Sequence, residues 1–124
     1  MKTAFAIAAL AIALAGGSGA GGHAVAHRSS VAVGVAEREW GISSYRAKVH
    51  TGKIRFNVSN FGEDAHNLEV IGPHGYRSAV SADIKAHEHT TLAVILRHPG
   101  VYRLICTKPG HVQKGMRASI RVTR

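Results

Sequence analysis

The chain holds a single cysteine, with a histidine and a methionine following it at equal intervals in Cys106-Thr-Lys-Pro-Gly-His111-Val-Gln-Lys-Gly-Met116. Forty residues upstream of that cysteine stands another histidine, in the pair His66-Asn67. A thiolate and a thioether are soft donors that suit Cu(I), and imidazole suits Cu(II) as well. Two ring nitrogens with one sulfur of each kind would let a copper ion change oxidation state with little ligand movement. A lone cysteine excludes an intramolecular disulfide and a zinc site built from several thiolates. The spacing C-x4-H-x4-M is weak evidence by itself, and the plain alternative is a buried cysteine acting as a small hydrophobe. The metal reading gains weight because the motif bridges two expected strands and a second histidine opens a third.

The elements that must position these donors read as short strands. Val31, Val33 and Val35 alternate with Ala32, Gly34 and Ala36. Ile54, Phe56 and Val58 face one way while Lys53, Arg55, Asn57 and Ser59 face the other, the pattern of a half-buried strand. Asn60-Phe61-Gly62 turns the chain, after which Leu68 and Val70 share a face with His66 in phase. Turns at 72–75 and 98–100 bracket a β-branched run in which Leu92, Val94 and Leu96 are in phase. Tyr102, Leu104 and Cys106 form one inward set, and Ala118, Ile120 and Val122 another. Pro109, Gly110 and Gly115 help the loop between these last two strands to turn tightly. No helical stripe exceeds two turns, and residues 76–84 are expected to hold at most one short turn of helix. About seven short strands argue for an all-β fold, a Greek-key β-sandwich or barrel.

A length of 124 residues suits one domain. Met1-Lys2, an apolar run over residues 4–15 and the small residues of 16–20 make a secretory signal. Twelve apolar residues are too few to span a bilayer. The expected division is a signal peptide at 1–20, a loose leader at 21–28 and one domain at 29–124. The protein is thus expected to be exported, periplasmic or secreted, with no membrane span in the mature chain. Export leaves the unpaired cysteine otherwise unexplained. Residues 17–22 match G-x-G-x-x-G, but no strand precedes them and no βαβ unit contains them, so a dinucleotide site is discarded. Lysine and arginine outnumber acids by nine, with nine further histidines. Lys108, Lys114 and Arg117 fall in or near the expected metal loop, which favours an acidic partner. Dispersed charge, few aromatics and export argue against nucleic acid.

The stretch from Tyr102 to Met116, followed by a terminal strand, resembles the copper loop of the cupredoxin family, plastocyanin- and azurin-like. Upstream, Gly52-Lys-Ile-Arg-Phe-Asn-Val-Ser-Asn60 with Asp64-Ala-His66-Asn67 resembles that family's strand and first copper histidine. The likeness extends over roughly residues 30–124. It implies a β-sandwich binding one type 1 copper, with His66, Cys106 and His111 as equatorial ligands and Met116 as the weak axial one. It also implies that Asn67 braces the cysteine loop and hydrogen-bonds the sulfur, which would tune the potential. Both gaps in the present loop are four residues, whereas one is usually shorter in plastocyanin-like and azurin-like members. The function implied is that of a small monomeric carrier of single electrons between redox proteins, and not an enzyme. A copper carrier or storage protein using the same ligands is the alternative, and a metal-free structural or adhesive sandwich is a third class.

Other histidines fall into local groups. His87-Glu88-His89 would place two imidazoles on one face if extended, whereas a turn there would leave a solvated pair. Cleavage after Ala20 would create a Gly21-Gly22-His23 terminus able to enclose Cu(II) in a square plane. His50, His74 and His98 lie beside turns and are expected at the surface.

Overall fold

A computed structural model describes residues 29–124 together with Gly19, Gly21 and Gly22. Those glycines apart, the expected signal peptide, the leader and the Gly21-Gly22-His23 site lie outside the described residues. Eight strands and one short helix follow in the order β1 Val31–Arg38, β2 Gly41–Ser44, β3 Lys48–His50, β4 Gly52–Asn60, β5 Glu69–Ile71, β6 His89–Leu96, β7 Gly100–Ile105, α1 His111–Lys114 and β8 Arg117–Thr123.

The strands form two four-stranded sheets, ordered β2-β1-β4-β6 and β3-β8-β7-β5. In the first, β1 runs parallel to β4 with Val33 opposite Phe56, and β6 is antiparallel to β4 with Leu92 opposite Phe56. In the second, β8 is parallel to β3 and antiparallel to β7. The inward set of each strand is the one its period-two pattern predicts. Val33, Val35, Ile54, Phe56, Val58, Leu92, Val94, Leu96, Tyr102, Leu104, Ile120 and Val122 are all buried in a single core between the sheets. The all-β sandwich expected from the sequence is therefore the fold observed.

Three local features go beyond the sequence pattern. Residues 76–84 hold no helix. Their backbone N–H groups are drawn sideways instead, with Ser78 donating to the Val70 carbonyl at 2.9 Å, Ser81 to Leu68 at 2.9 Å and Ile84 to His66 at 2.8 Å. The hydroxyls of Ser78 and Ser81 in turn accept from the N–H groups of Val70 and Leu68. Cross-links of this kind compete with helical hydrogen bonding. The one described helix instead occupies the loop before β8, where Gly110 (φ 78°) starts it and Gly115 (φ 121°) ends it. Strands β2 and β3 were not anticipated, because each is short and buries only one side chain, Ile42 and Val49 respectively.

Tyr102 is fully buried and its hydroxyl donates to the His98 carbonyl at 2.8 Å, so its ring is pinned. A Cβ at Gly72 would run into that ring. Gly72→Ala is expected to destabilise the fold by about 1–3 kcal/mol, as overpacking of a filled core does. Urea denaturation checks this, and an unchanged midpoint would show that Tyr102 can yield.

Candidate metal centre

His66 is set in place from two sides. Its backbone forms an antiparallel bridge with Ile84, the two N–H···O bonds measuring 3.1 and 2.8 Å. The preceding turn is stapled by the buried Asn60, whose Nδ2 donates to the carbonyls of Asp64 and Ile84 while its Oδ1 accepts from Gly62 N–H. Cys106 follows directly on β7, and its N–H donates to the Met116 carbonyl at 3.2 Å, closing the loop at its neck. Within the loop, His111 N–H donates to Lys108 and Met116 N–H donates to the His111 carbonyl, both at 3.0 Å. A Cβ at Gly115 would lie 2.8 Å from the Trp40 carbonyl, so the loop passes where only glycine fits.

This scaffold gathers His66, Cys106 and His111 with donor atoms all within 4.8 Å of one another. The Nδ1 atoms of the two histidines are 3.2 Å apart, and Cys106 Sγ lies 3.5 Å from His111 Nδ1. Both imidazoles thus turn Nδ1 toward the sulfur. His66 and Cys106 are fully buried, while His111 is partly exposed. Met116 is fully buried and joined through its backbone to both Cys106 and His111. Burial pushes the Cys106 thiol above its ordinary value, and Glu37 adds to this, against hydrogen bonds from the backbone of Asn67 and Lys108. Burial, and then His66, depress the His111 imidazolium below the ordinary histidine range, so its ring is kept neutral with a lone pair to give. The donors fit a soft or borderline transition ion: two imidazole nitrogens and one thiol, the last losing its proton when metal binds.

Asn67 acts as a clamp. Its Oδ1 accepts from Thr107 N–H at 2.7 Å, and its Nδ2 reaches Thr107 Oγ1 at 2.8 Å. The residue after His66 is thereby tied to the residue after Cys106. The basic residues near the loop are partly engaged within the chain. Lys108 pairs with Asp83 at 2.5 Å, Lys114 Nζ sits 4.1 Å from the centre of the Trp40 ring, and Arg117 donates to the Val112 carbonyl. His87 lies in a turn, exposed, with Glu63 at 3.5 Å, and among the described residues it joins no cluster of metal-binding groups with His89. His74 and His98 pair at the surface, ring centroids 5.0 Å apart.

Two residues at this end were not singled out from the sequence. Glu39 Oε1 lies 2.8 Å from His66 Nε2, the ring nitrogen turned away from the sulfur. The Glu39 carboxylate also accepts from the N–H groups of Glu63 at 3.0 Å and Asp64 at 2.8 Å. The Glu63 bond above all, opposed by burial and helped by Asp64, holds its carboxyl down to about 2. Trp40, the only tryptophan, meets His111 edge-on with centroids 4.9 Å apart. The signal available in the sequence was an acid and an aromatic at the end of a strand, Glu39-Trp40-Gly41, which is too common to indicate a site.

A blue copper protein of Pisum sativum is 33% identical over 66 residues, 52% of this chain. The chain matches only 35% of the length of that curated relative. A dithionite-reduced auracyanin from Roseiflexus castenholzii superposes with a TM-score of 0.66 at 19% identity, over 77% of this chain and 99% of its own. Auracyanin A of Chloroflexus aurantiacus, described as a "blue" copper protein, superposes with a TM-score of 0.60 at 15% identity, over 77% of this chain and all of its own. No family model matches the sequence.

Proposed function

From its cupredoxin fold, the chain being a β-sandwich of that type, we propose that this protein carries single electrons between redox partners through one copper ion. His66 Nδ1, Cys106 Sγ and His111 Nδ1 would hold the ion, with Met116 as a weak axial donor. The observation that carries this reading is the convergence of two Nδ1 atoms and one Sγ in a largely buried cluster beneath one short loop. Copper bound there supplies a one-electron couple.

The chain's own residues explain why such a couple would be quick. A buried, hydrogen-bonded cluster reorganises little, since the Asn67–Thr107 clamp and the Cys106–Met116 neck restrain both halves of the loop. Four donors leave no open position for a substrate, which supports a carrier over an enzyme. An excess of nine positive charges supports an acidic partner, with docking weakened by salt. The charged start, short apolar run and small-residue exit support export, with residues 1–20 as signal and 29–124 as the copper domain. Among the described residues no helix is long and apolar enough to cross a membrane.

The test is an absorption spectrum of the copper-reconstituted mature protein. An intense visible thiolate-to-copper band that ascorbate bleaches is expected. Tight Cu(I) binding without such a band would favour copper carriage or storage instead, and no copper uptake would exclude both.

Met116→Leu is expected to leave the visible band in place and to raise the potential, because Cu(I) is content with three donors whereas the more highly charged Cu(II) loses more when a fourth electron-pair donor is removed. Cyclic voltammetry reads this directly. An unchanged potential and spectrum would show that Met116 does not coordinate.

A further inference from the structure

Glu39 occupies a place that the proposed ligand set does not account for. Its carboxylate reaches His66 Nε2 at 2.8 Å across a gap of 27 residues in sequence. That carboxylate is itself held at two further points, by the N–H groups of Glu63 and Asp64. Its seat is shaped for it, since Gly62 is buried and a Cβ there would run into both carboxylate oxygens. An ionised carboxylate can only accept hydrogen bonds, so His66 Nε2 must carry the proton. The remaining nitrogen, Nδ1, is the one that faces His111 Nδ1 and the cysteine sulfur.

We infer that Glu39 is a positioning residue for the metal centre: it fixes the His66 ring with its Nδ1 lone pair toward the cluster and, by its charge, favours the more highly charged oxidation state of a bound ion. The electrostatic part follows from sign. A fixed negative charge one ring away stabilises Cu(II) more than Cu(I) and makes the imidazole a stronger donor. The potential is thereby set lower than in a site where a neutral group holds the same nitrogen. The inference rests on the copper reading for the potential, and on the metal-free protein alone for the ring.

Two variants separate charge from hydrogen bonding. Glu39→Gln retains an acceptor and removes the charge, while Gly62→Ala retains the charge and crowds the carboxylate from its seat. Nitrogen-15 NMR of the metal-free protein reads the tautomer of His66. A single Nε2–H form is expected in the wild type and in Glu39→Gln, and a mixture in Gly62→Ala. In the copper-loaded protein, Glu39→Gln is expected to favour Cu(I) over Cu(II) by about tenfold, the lower range of effects for residues that support a ligand. That is a rise of about 59 mV for one electron. Gly62→Ala is expected to weaken Cu(II) binding, and Glu39→Asp with Gly62 intact to recover part of the wild-type potential. A wild-type His66 tautomer in Gly62→Ala together with a wild-type potential in Glu39→Gln would overturn the inference. Absence of the visible band in the wild type would sink the copper reading instead. The NMR measurement would then decide the positioning role alone: a mixed tautomer in Gly62→Ala upholds it and an unchanged one overturns it.

Discussion

Cys106→Ser will abolish the intense visible absorption of the copper-loaded protein while leaving the fold intact. The band expected of this site is charge transfer from a thiolate, and the chain holds only this one thiol. Met116, the other buried sulfur at this end, is a neutral thioether and a far weaker donor. A serine hydroxyl is nearly the same size, so the Cys106 N–H to Met116 bond and the Asn67 clamp on Thr107 should survive. It keeps its proton at neutral pH and is a harder donor, so it cannot supply the same transition. Copper should still bind through the two imidazoles, with reduced affinity. Absorption and circular dichroism of the variant, loaded and unloaded, check both halves. An undiminished band would mean that the colour does not arise at Cys106.

Glu37→Gln is expected to remove a large pH dependence of stability. Glu37 points into the core from β1, fully buried, and neither carboxylate oxygen has a hydrogen-bond partner. Burial raises its pKa from 4.5 to about 8. An acid whose pKa is higher in the folded chain holds its proton there after the unfolded chain has released it. Stability from this group is therefore full below about pH 4.5 and falls as pH rises toward 8. The slope is about 1.4 kcal/mol per pH unit. Between pH 5 and 8 the wild type should lose about 3–4 kcal/mol relative to Glu37→Gln, which stays neutral throughout. Guanidinium denaturation of both metal-free proteins across that range reads the difference, and parallel stability curves would refute it. Glu39, two residues on, runs the other way. Its lowered pKa contributes stability above about pH 4.5 that is lost as pH falls toward 2, outside the range of the experiment.

The same strand shows how far local pattern reaches. Val33 and Val35 established the inward parity of β1, and that parity carries Glu37 into the core at the next odd position. The alternation was legible. A carboxylate at the end of such a series is ordinarily at a strand's wet edge, so its burial beside the metal end was not. The metal loop divides similarly. Gly110 and Gly115 were readable as the places where the chain must turn, and both adopt positive φ. That the residues between them wind into a helical turn, and that Gly115 passes close over the Trp40 carbonyl from a different part of the chain, was not legible in that pattern. Residues 76–84 hold no helical turn because their serines bond across to Leu68 and Val70, partners that a local reading does not contain.

By itself the sequence determined the all-β class, the inward face of each long strand and the types of donor near the loop, because side-chain parity and turn chemistry are properties of a few consecutive residues. Tertiary structure alone decided that two Nδ1 atoms and one Sγ converge, that Glu39 meets the far side of His66, and that Trp40 lies against His111. These meetings depend on how separate strands are set against one another, and that is decided by the packing of the whole core.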